Sequence, residues 1–210
     1  MRIAVIAADG RSGQAFVKAA LDSGHSVRAG VHGKNPFFAH PGLAVIRCDA
    51  TDEQQVIELL RASDAVVSLI GHVKGSQADV QTRAIRTVIS AMKQRGLTRI
   101  ISLTGTGVRI KGDKPSLLDK LANAIIVRID PDRIHDGIAH VKVLHGSGMD
   151  YTVLRVLKLG NGTAGKFGLN GHGPAKLLTS RTEVAAAILD CLEDNRYIRQ
   201  HPVIVPEPKV

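Results

Sequence analysis

Short apolar runs alternate with stretches of helical periodicity along most of the chain. The first run, at residues 3–7, is apolar throughout, which is typical of a strand covered on both faces. Further runs lie at residues 26–31, 44–48, 65–70, 99–103, 151–156 and 202–205. Helical spacing of apolar residues follows the first run and recurs at residues 52–61, 76–95, 136–145 and 181–192. This alternation predicts a doubly wound parallel sheet between two layers of helices, in one domain over residues 1–210.

Two loops interrupt the alternation. Residues 105–132 are irregular, with one helix predicted inside them at residues 116–127. Residues 160–174 hold six glycines in fifteen positions. Both loops follow a strand, and the carboxyl ends of parallel strands are where α/β sheets bind ligands. We therefore expect both loops on the substrate side of the molecule.

The turn after the first strand carries the clearest chemical signal. Its small residues follow the spacing Ala7-x-x-Gly10-x-x-Gly13, with a strand before it and a helix after it. A glycine at position 10 lets a pyrophosphate approach the backbone, and one at position 13 lets the helix pack on the strand. The predicted cofactor contacts at this turn are Ala8, Asp9, Gly10, Arg11, Ser12 and Gly13. A purely structural turn is the alternative.

The end of the second strand bears on the choice between NAD and NADP. An acidic residue there would bind the ribose 2′-hydroxyl, but residues 27–34 contain none. They contain Arg28, His32 and Lys34 instead. His32 and Lys34 lie beyond the strand and are the predicted 2′-phosphate contacts, so we expect NADP(H) to be preferred over NAD(H). A solvated basic loop is the alternative.

The ends of the third, fourth and fifth strands extend this predicted site. Asp49 either accepts a hydrogen bond from the adenine amino group or caps the following helix, for which Thr51 and Asp52 are also suited. His72 is either a cofactor contact or an exposed side chain. The other predicted cofactor contacts are Ala50, Leu69, Ile70, Gly71 and Leu103.

Candidate catalytic groups are few. Thr104 and Thr106 end the fifth strand, where hydroxyls would face the nicotinamide and a substrate carbonyl. Short-chain dehydrogenases commonly use a Tyr-x-x-x-Lys pair as proton donor. The tyrosines here, Tyr151 and Tyr197, are followed four residues later by arginine and histidine. The reaction therefore needs no dedicated acid, or uses another group, or does not occur.

Composition narrows the partners. The net charge of +9 favours phosphate-bearing ligands, while aromatic residues at 3% leave few stacking platforms for nucleic acid. No apolar run approaches the roughly 20 residues that span a bilayer, and no secretion-signal pattern opens the sequence. We expect a cytoplasmic protein without a membrane partner.

The cysteines, Cys48 and Cys191, are predicted to be buried thiols. The spacing of His135, His140 and His145 does not favour a metal site.

Several of these segments resemble a known family. Residues 7–13, 45–49, 64–71 and 99–104 resemble the atypical short-chain dehydrogenases/reductases of the NAD(P)H-binding, NmrA-like group. Residues 140–155, 171–174 and 178–184 resemble the flavin and biliverdin reductases within it. The resemblance implies a Rossmann-like fold, NADP(H) binding and hydride transfer to a flat conjugated acceptor with little help from acid or base side chains.

The resemblance also shows where this sequence departs from the group. The arginine that grips the 2′-phosphate falls at His32, and the serine near the nicotinamide falls at or beside Gly105. The histidine after the sixth strand falls at Lys158, which becomes a candidate contact for the nicotinamide carboxamide or an acidic substrate. A surface lysine is the alternative for Lys158. All three departures lie around the expected active site.

Three functions fit the sequence. The first is an NADPH-dependent reductase of small quinone, flavin or carbonyl acceptors. The second is a non-catalytic NADP(H)-binding redox sensor, which would require a protein partner. The third, a nucleotide-sugar epimerase or dehydratase, is disfavoured by the short C-terminal half and the missing Tyr-x-x-x-Lys. The sequence leaves the substrate and the oligomeric state open.

Overall fold

A mixed eight-stranded sheet runs through the centre of the molecule. The computed structural model describes residues 1–207. The strands are β1 (Arg2–Ile6), β2 (Ser26–Val31), β3 (Leu43–Arg47), β4 (Ala65–Ser68), β5 (Arg99–Gly105), β6 (Asp150–Val156), β7 (Leu159–Gly160), β8 (Phe167–Asn170), β9 (Thr179–Ser180) and β10 (Val203–Pro206). The helices are α1 (Arg11–Asp22), α2 (Glu53–Leu59), α3 (Val80–Arg95), α4 (Leu117–Ile129), α5 (Pro131–His145) and α6 (Arg181–Glu193).

The strand order is β3-β2-β1-β4-β5-β6-β10-β8. The chain moves outward from β1 to β3 and then returns to the other side of β1, so the order reverses between β1 and β4. Such a reversal opens a crevice at the carboxyl ends of the strands. This confirms the doubly wound Rossmann-like fold. One edge strand departs from the parallel direction, because β8 pairs antiparallel to β10.

Helices cover both faces of the sheet, which explains why its strands are apolar runs. On one face α1 and α6 pack through Phe16, Val17, Val184 and Ile188, all buried. On the other face α2, α3 and α5 contribute buried side chains that include Leu59, Val88, Met92 and Leu144. A strand between two helix layers has no solvent-facing side. Both cysteines are buried as predicted, and burial raises the pKa of Cys48 to about 12 and that of Cys191 to about 11.

The observed elements differ from the predicted ones by a few residues at their ends and by the short strands β7, β8 and β9. Helix α3 begins at Val80 rather than at residue 76. Helix α5 begins at Pro131 rather than at residue 136, because the Asp130 side chain accepts from the Arg133 N–H and proline tolerates the first helical position. The predicted helix at residues 116–127 is α4. None of the helices within residues 1–207 is both long enough and apolar enough to cross a bilayer.

Candidate cofactor and active site

The turn between β1 and α1 is tight because of its backbone. Ala7 has φ of 58°, in the left-handed region that favours glycine, and its carbonyl accepts from the Gly10 N–H at 3.2 Å. The sequence suggested only that a small side chain was needed at this position. The conformation shows why a glycine would suit this position better still. A residue with a Cβ, such as Ala7, loses about 1 kcal/mol or more in the left-handed region.

Two glycines let helix and backbone approach this turn. A methyl group added to Gly13 would lie 2.6 Å from the Ala8 Cα, closer than real atoms approach. A methyl group at Gly10 would lie 3.3 Å from the Ala7 carbonyl oxygen. Gly13 therefore seats α1 on the turn, as the motif predicts.

The N-terminus of α1 suits a phosphate. Gly10 is the N-cap and supplies no side-chain acceptor, and the first turn of the helix contains no acidic residue. The Gln14 N–H makes the first helical hydrogen bond, to the Gly10 carbonyl at 2.8 Å. The N–H groups of Arg11, Ser12 and Gly13 precede it in the first turn. Such N–H groups, together with the positive end of the helix dipole, can bind an anion.

A cleft of about 450 Å³ opens beside this helix end, at the carboxyl ends of β4, β5 and β6. This volume is in the range of small-molecule sites. Residues named from the sequence meet there: Arg11, Ser12, Leu69, Ile70, Gly71, Leu103, Thr104 and Lys158 all line the cleft. So do residues that the sequence did not single out, namely Gln81, Asn123, Ile126, Arg133, Ile134 and Arg181.

The lining of the cleft is cationic. Among residues 1–207, its charged side chains are Arg11, Arg133, Lys158 and Arg181, with no aspartate or glutamate. Burial lowers the pKa of Arg181, and the positive charge of Arg11 lowers it further. Arg11 and Arg181 repel one another beside a helix N-terminus. A bound anion would reduce this repulsion, so the two arginines favour anion binding. The residues present therefore fit the pyrophosphate of a dinucleotide.

The predicted contacts of the 2′-phosphate and adenine lie outside the cleft lining. His32 and Lys34 are exposed on the loop after β2, and the His32 Nε2 lies 3.7 Å from the Asp49 Oδ2. Asp49 accepts from the backbone N–H and the hydroxyl of Thr51, and these hydrogen bonds hold the pKa of its carboxyl below the ordinary value. The helix cap is Asp52 instead. Ala50, half-buried, follows Asp49 on the same loop.

Asp9 has a structural role at the turn. Its carboxylate accepts from the Gly33 N–H at 2.8 Å, which joins the glycine turn to the loop after β2. Ala8 is buried directly before it. The two loops that would surround the adenosine half of a dinucleotide are thus held together by a hydrogen bond of the chain itself.

The two threonines after β5 have different surroundings. Thr104 lines the cleft, and Gly137 on α5 leaves room for it: a methyl group there would lie 2.9 Å from the Thr104 hydroxyl. Thr106 is 3% exposed and lies outside the lining. Its hydroxyl donates to Asp119 at 2.9 Å and accepts from the Asn123 amide at 3.1 Å. Thr106 is therefore occupied in a buried polar cluster under α4.

The structure reveals a histidine–aspartate pair that the sequence did not. His72 lines the cleft, and its Nε2 lies 2.8 Å from the Asp136 Oδ2. The His72 side chain is 8% exposed and that of Asp136 is fully buried, so His72 is not the exposed side chain that was one alternative. The two residues are 64 positions apart, and no local pattern joins them.

Comparison with known proteins agrees with this geometry. A family model described as NAD(P)H-binding matches residues 7–195. No curated protein matches the sequence. A proposed NADH-flavin reductase from Streptococcus pneumoniae superposes with a TM-score of 0.81 at 20% identity, over 99% of this chain and 100% of the other.

Two further solved structures are similar. An oxidoreductase from Lactococcus lactis gives a TM-score of 0.81 at 14% identity, over 100% of this chain and 92% of the other. A short-chain dehydrogenase/reductase from Veillonella parvula in complex with NADP gives 0.79 at 16% identity, over 100% and 99%. Identities this low establish a shared fold alone. Because the family model covers most of the sequence, the chain belongs to the NAD(P)H-binding family.

Proposed function

We propose that this protein is an NADPH-dependent reductase that transfers hydride to a small conjugated acceptor of the quinone, flavin or carbonyl type. The observation that carries the proposal is the cationic, acid-free cleft that starts at the N-terminus of α1 and continues past the ends of β4, β5 and β6. The helix end takes the pyrophosphate, and the remainder of the cleft takes the nicotinamide and an acceptor. We place this activity in the cytoplasm.

Preference for NADP(H) is the finer part of the proposal. It is supported by the absence of an acid at the end of β2 and by His32 and Lys34 on the loop that follows. The His32 Nε2 lies 3.7 Å from the Asp49 Oδ2, beside the position proposed for the 2′-phosphate. Asp49 also offsets part of the positive charge, so the preference should be smaller than a paired arginine would confer.

The acceptor half of the cleft supplies position more than acid–base chemistry. Ile126, Ile134 and Val156 provide apolar walls, which suit a flat conjugated ring. Thr104 offers a hydroxyl and Lys158 a positive charge near the end of β6. Bound NADPH supplies the hydride, and the chain gains rate by holding donor and acceptor in a dry, fixed geometry.

Calorimetry tests the cofactor assignment. We expect NADP⁺ and NADPH to bind at least about tenfold more tightly than NAD⁺, equal to about 1.4 kcal/mol, and the double change His32→Ala/Lys34→Ala to remove most of that difference. The matched control is His145→Ala/Lys142→Ala, which removes the same residue types from the exposed side of α5. Equal affinities in the wild type would overturn the preference.

A panel of acceptors tests the activity. Purified protein should oxidise NADPH in the presence of a quinone, flavin or aldehyde, and not in their absence. If every acceptor fails, the remaining candidate is a redox sensor, which requires NADP⁺ and NADPH to bind with different affinity because a ligand pair shifts a state only through differential binding. That candidate rests on the missing Tyr-x-x-x-Lys pair.

A further inference from the structure

We propose that His72 is the proton donor of the acceptor site and that buried Asp136 positions it. The inference rests on the proposed reductase function and addresses the missing Tyr-x-x-x-Lys pair. It starts from one contact, the 2.8 Å hydrogen bond between the His72 Nε2 and the Asp136 Oδ2 at the wall of the cleft.

Asp136 is built to remain an anion. Its carboxylate accepts from the backbone N–H groups of Gln81 at 2.8 Å and Thr82 at 2.9 Å, which lie in the first turn of α3. Burial by itself would raise the pKa of Asp136, but the hydrogen bonds from Thr82, Gln81 and His72 outweigh burial and hold the pKa below its ordinary value. A helix N-terminus adds its positive dipole end.

An ionised carboxylate only accepts hydrogen bonds, so the His72 Nε2 must carry a hydrogen and donate it. This leaves the Nδ1 as the ring nitrogen available to a ligand, and it makes no hydrogen bond with any residue between 1 and 207. A buried carboxylate behind a histidine fixes the orientation and the tautomer of the ring. When both ring nitrogens carry a hydrogen, the Nε2 donates to Asp136 and the Nδ1 is the proton donor for the cleft.

The step balances with groups already named. Reduction adds one hydride and one proton to the acceptor: the hydride comes from bound NADPH, which becomes NADP⁺, and goes to the electrophilic atom of the conjugated system. The oxygen or nitrogen at the other end of that system gains electron density and takes the proton from the His72 Nδ1. The imidazole is left neutral, still donating from Nε2 to Asp136, and recovers a proton from water.

Other charged and titratable groups surround the pair. On α5 they are Arg133, which lines the cleft, and His140, one turn beyond Asp136 and fully buried. Lys74 and Asp79 are exposed on the loop that leads to α3. The rest of the cleft holds Arg11, Lys158 and Arg181. Among the described residues, Asp136 is thus the carboxylate in contact with His72, and the cationic lining favours proton release to a reduced, anionic acceptor.

The main test is His72→Gln, which keeps a polar side chain of similar size. We expect kcat with a quinone or carbonyl acceptor to fall about a hundredfold, and the affinity for NADPH to stay within about threefold. The dependence of kcat on pH should differ between the wild type and His72→Gln, because the substitution removes the proton donor. Added imidazole should restore part of the rate of His72→Gly. The matched control is the exposed His135→Gln, which should behave as wild type.

A readout independent of activity is the ¹⁵N NMR spectrum of the histidine rings. The neutral form of His72 should carry its hydrogen on Nε2, and Asp136→Asn should abolish that tautomer preference. A hydrogen on Nδ1 instead, or a His72→Gln enzyme with wild-type kcat and pH profile, would overturn this inference and leave the reductase assignment standing. A wild type that reduces no acceptor would overturn both.

Discussion

Helices α1 and α4 have similar lengths, 12 and 13 residues, but they bury opposite kinds of side chain. Helix α1 buries Gly13, Phe16, Val17 and Ala20 against the sheet. Helix α4 buries Asp119 and Asn123, and it leaves five large aliphatic side chains half or more exposed, namely Leu117, Leu118, Leu121, Ile125 and Ile129. Both helices border the same cleft, α1 at the side proposed for the pyrophosphate and α4 at the side proposed for the acceptor.

An apolar face does not by itself decide which side of a helix is buried. Helix α4 is held from its polar side: Asp119 accepts from the Thr106 hydroxyl at 2.9 Å and from the Arg109 guanidinium at 3.0 Å. Buried polar groups that are fully paired can outweigh the gain from burying a few aliphatic side chains, because leaving them unpaired costs more. The α1 side of the cleft is thus held by apolar packing and the α4 side by polar contacts.

Changing the polarity of side chains on α4 should have the largest effect on stability. Asp119→Leu leaves Arg109 and the Thr106 and Asn123 groups without their acceptor, so the free energy of unfolding should fall by about 3–5 kcal/mol. Leu121→Asp, on the exposed face of the same helix, should change it by less than about 0.5 kcal/mol. Urea denaturation measures both. Equal losses in the free energy of unfolding for the two variants would show that the polar contacts of Asp119 do not hold α4 in place.

The second expected effect is a loss of stability at acid pH that is caused by His140 on α5. Burial lowers the pKa of His140 from 6.5 to about 4, with the charge of Asp136 opposing, while its Nε2 lies 2.9 Å from the Ser102 hydroxyl. As the pH falls below 6.5, the unfolded chain binds a proton at His140 that the folded chain does not bind until about pH 4. The contribution of neutral His140 to the free energy of unfolding is therefore present above pH 6.5 and is lost as the pH falls toward 4. The expected loss is on the order of 3 kcal/mol.

Denaturation at a series of pH values measures this acid loss. His140→Gln should reduce it, whereas His145→Gln, on the exposed side of α5, should leave it unchanged. An unchanged acid profile in His140→Gln would contradict the assignment. The buried residues of α1 include no titratable group, so no comparable loss is expected from that helix.

The smallest of the three effects concerns the seat of α1. In Gly13→Ala the new methyl group would lie 2.6 Å from the Ala8 Cα, so the helix or the turn must move. We expect a loss of about 1–3 kcal/mol in the free energy of unfolding. Because the N–H groups of the first turn move with the helix, NADPH binding should weaken by about tenfold or more.

Thermal unfolding and a fluorescence titration with NADPH measure the two losses in Gly13→Ala. Gly146→Ala is the control, since a methyl group there meets nothing closer than 3.6 Å. If both alanines are tolerated equally, close packing at Gly13 is not what positions the helix.

The β1–turn–α1 unit and the alternation of strands and helices were predicted from the sequence alone. These features are local: the spacing of Ala7, Gly10 and Gly13 lies within seven consecutive residues, and an apolar run marks a strand covered on both faces. Strand β8 escaped prediction because it is short and glycine-containing, and its backbone pairs only with β10, more than thirty residues later.

Only the tertiary structure shows which side chains meet at the α4 side of the cleft. His72 and Asp136 are 64 positions apart, and nothing around either residue indicates the other. Thr104 and Thr106 are equivalent by sequence, yet one lines the cleft and the other is bound in the polar cluster beneath α4. The physical reason is the same in each case: a hydrogen bond between distant segments depends on where the whole chain places both partners, whereas periodicity and glycine spacing act between neighbours.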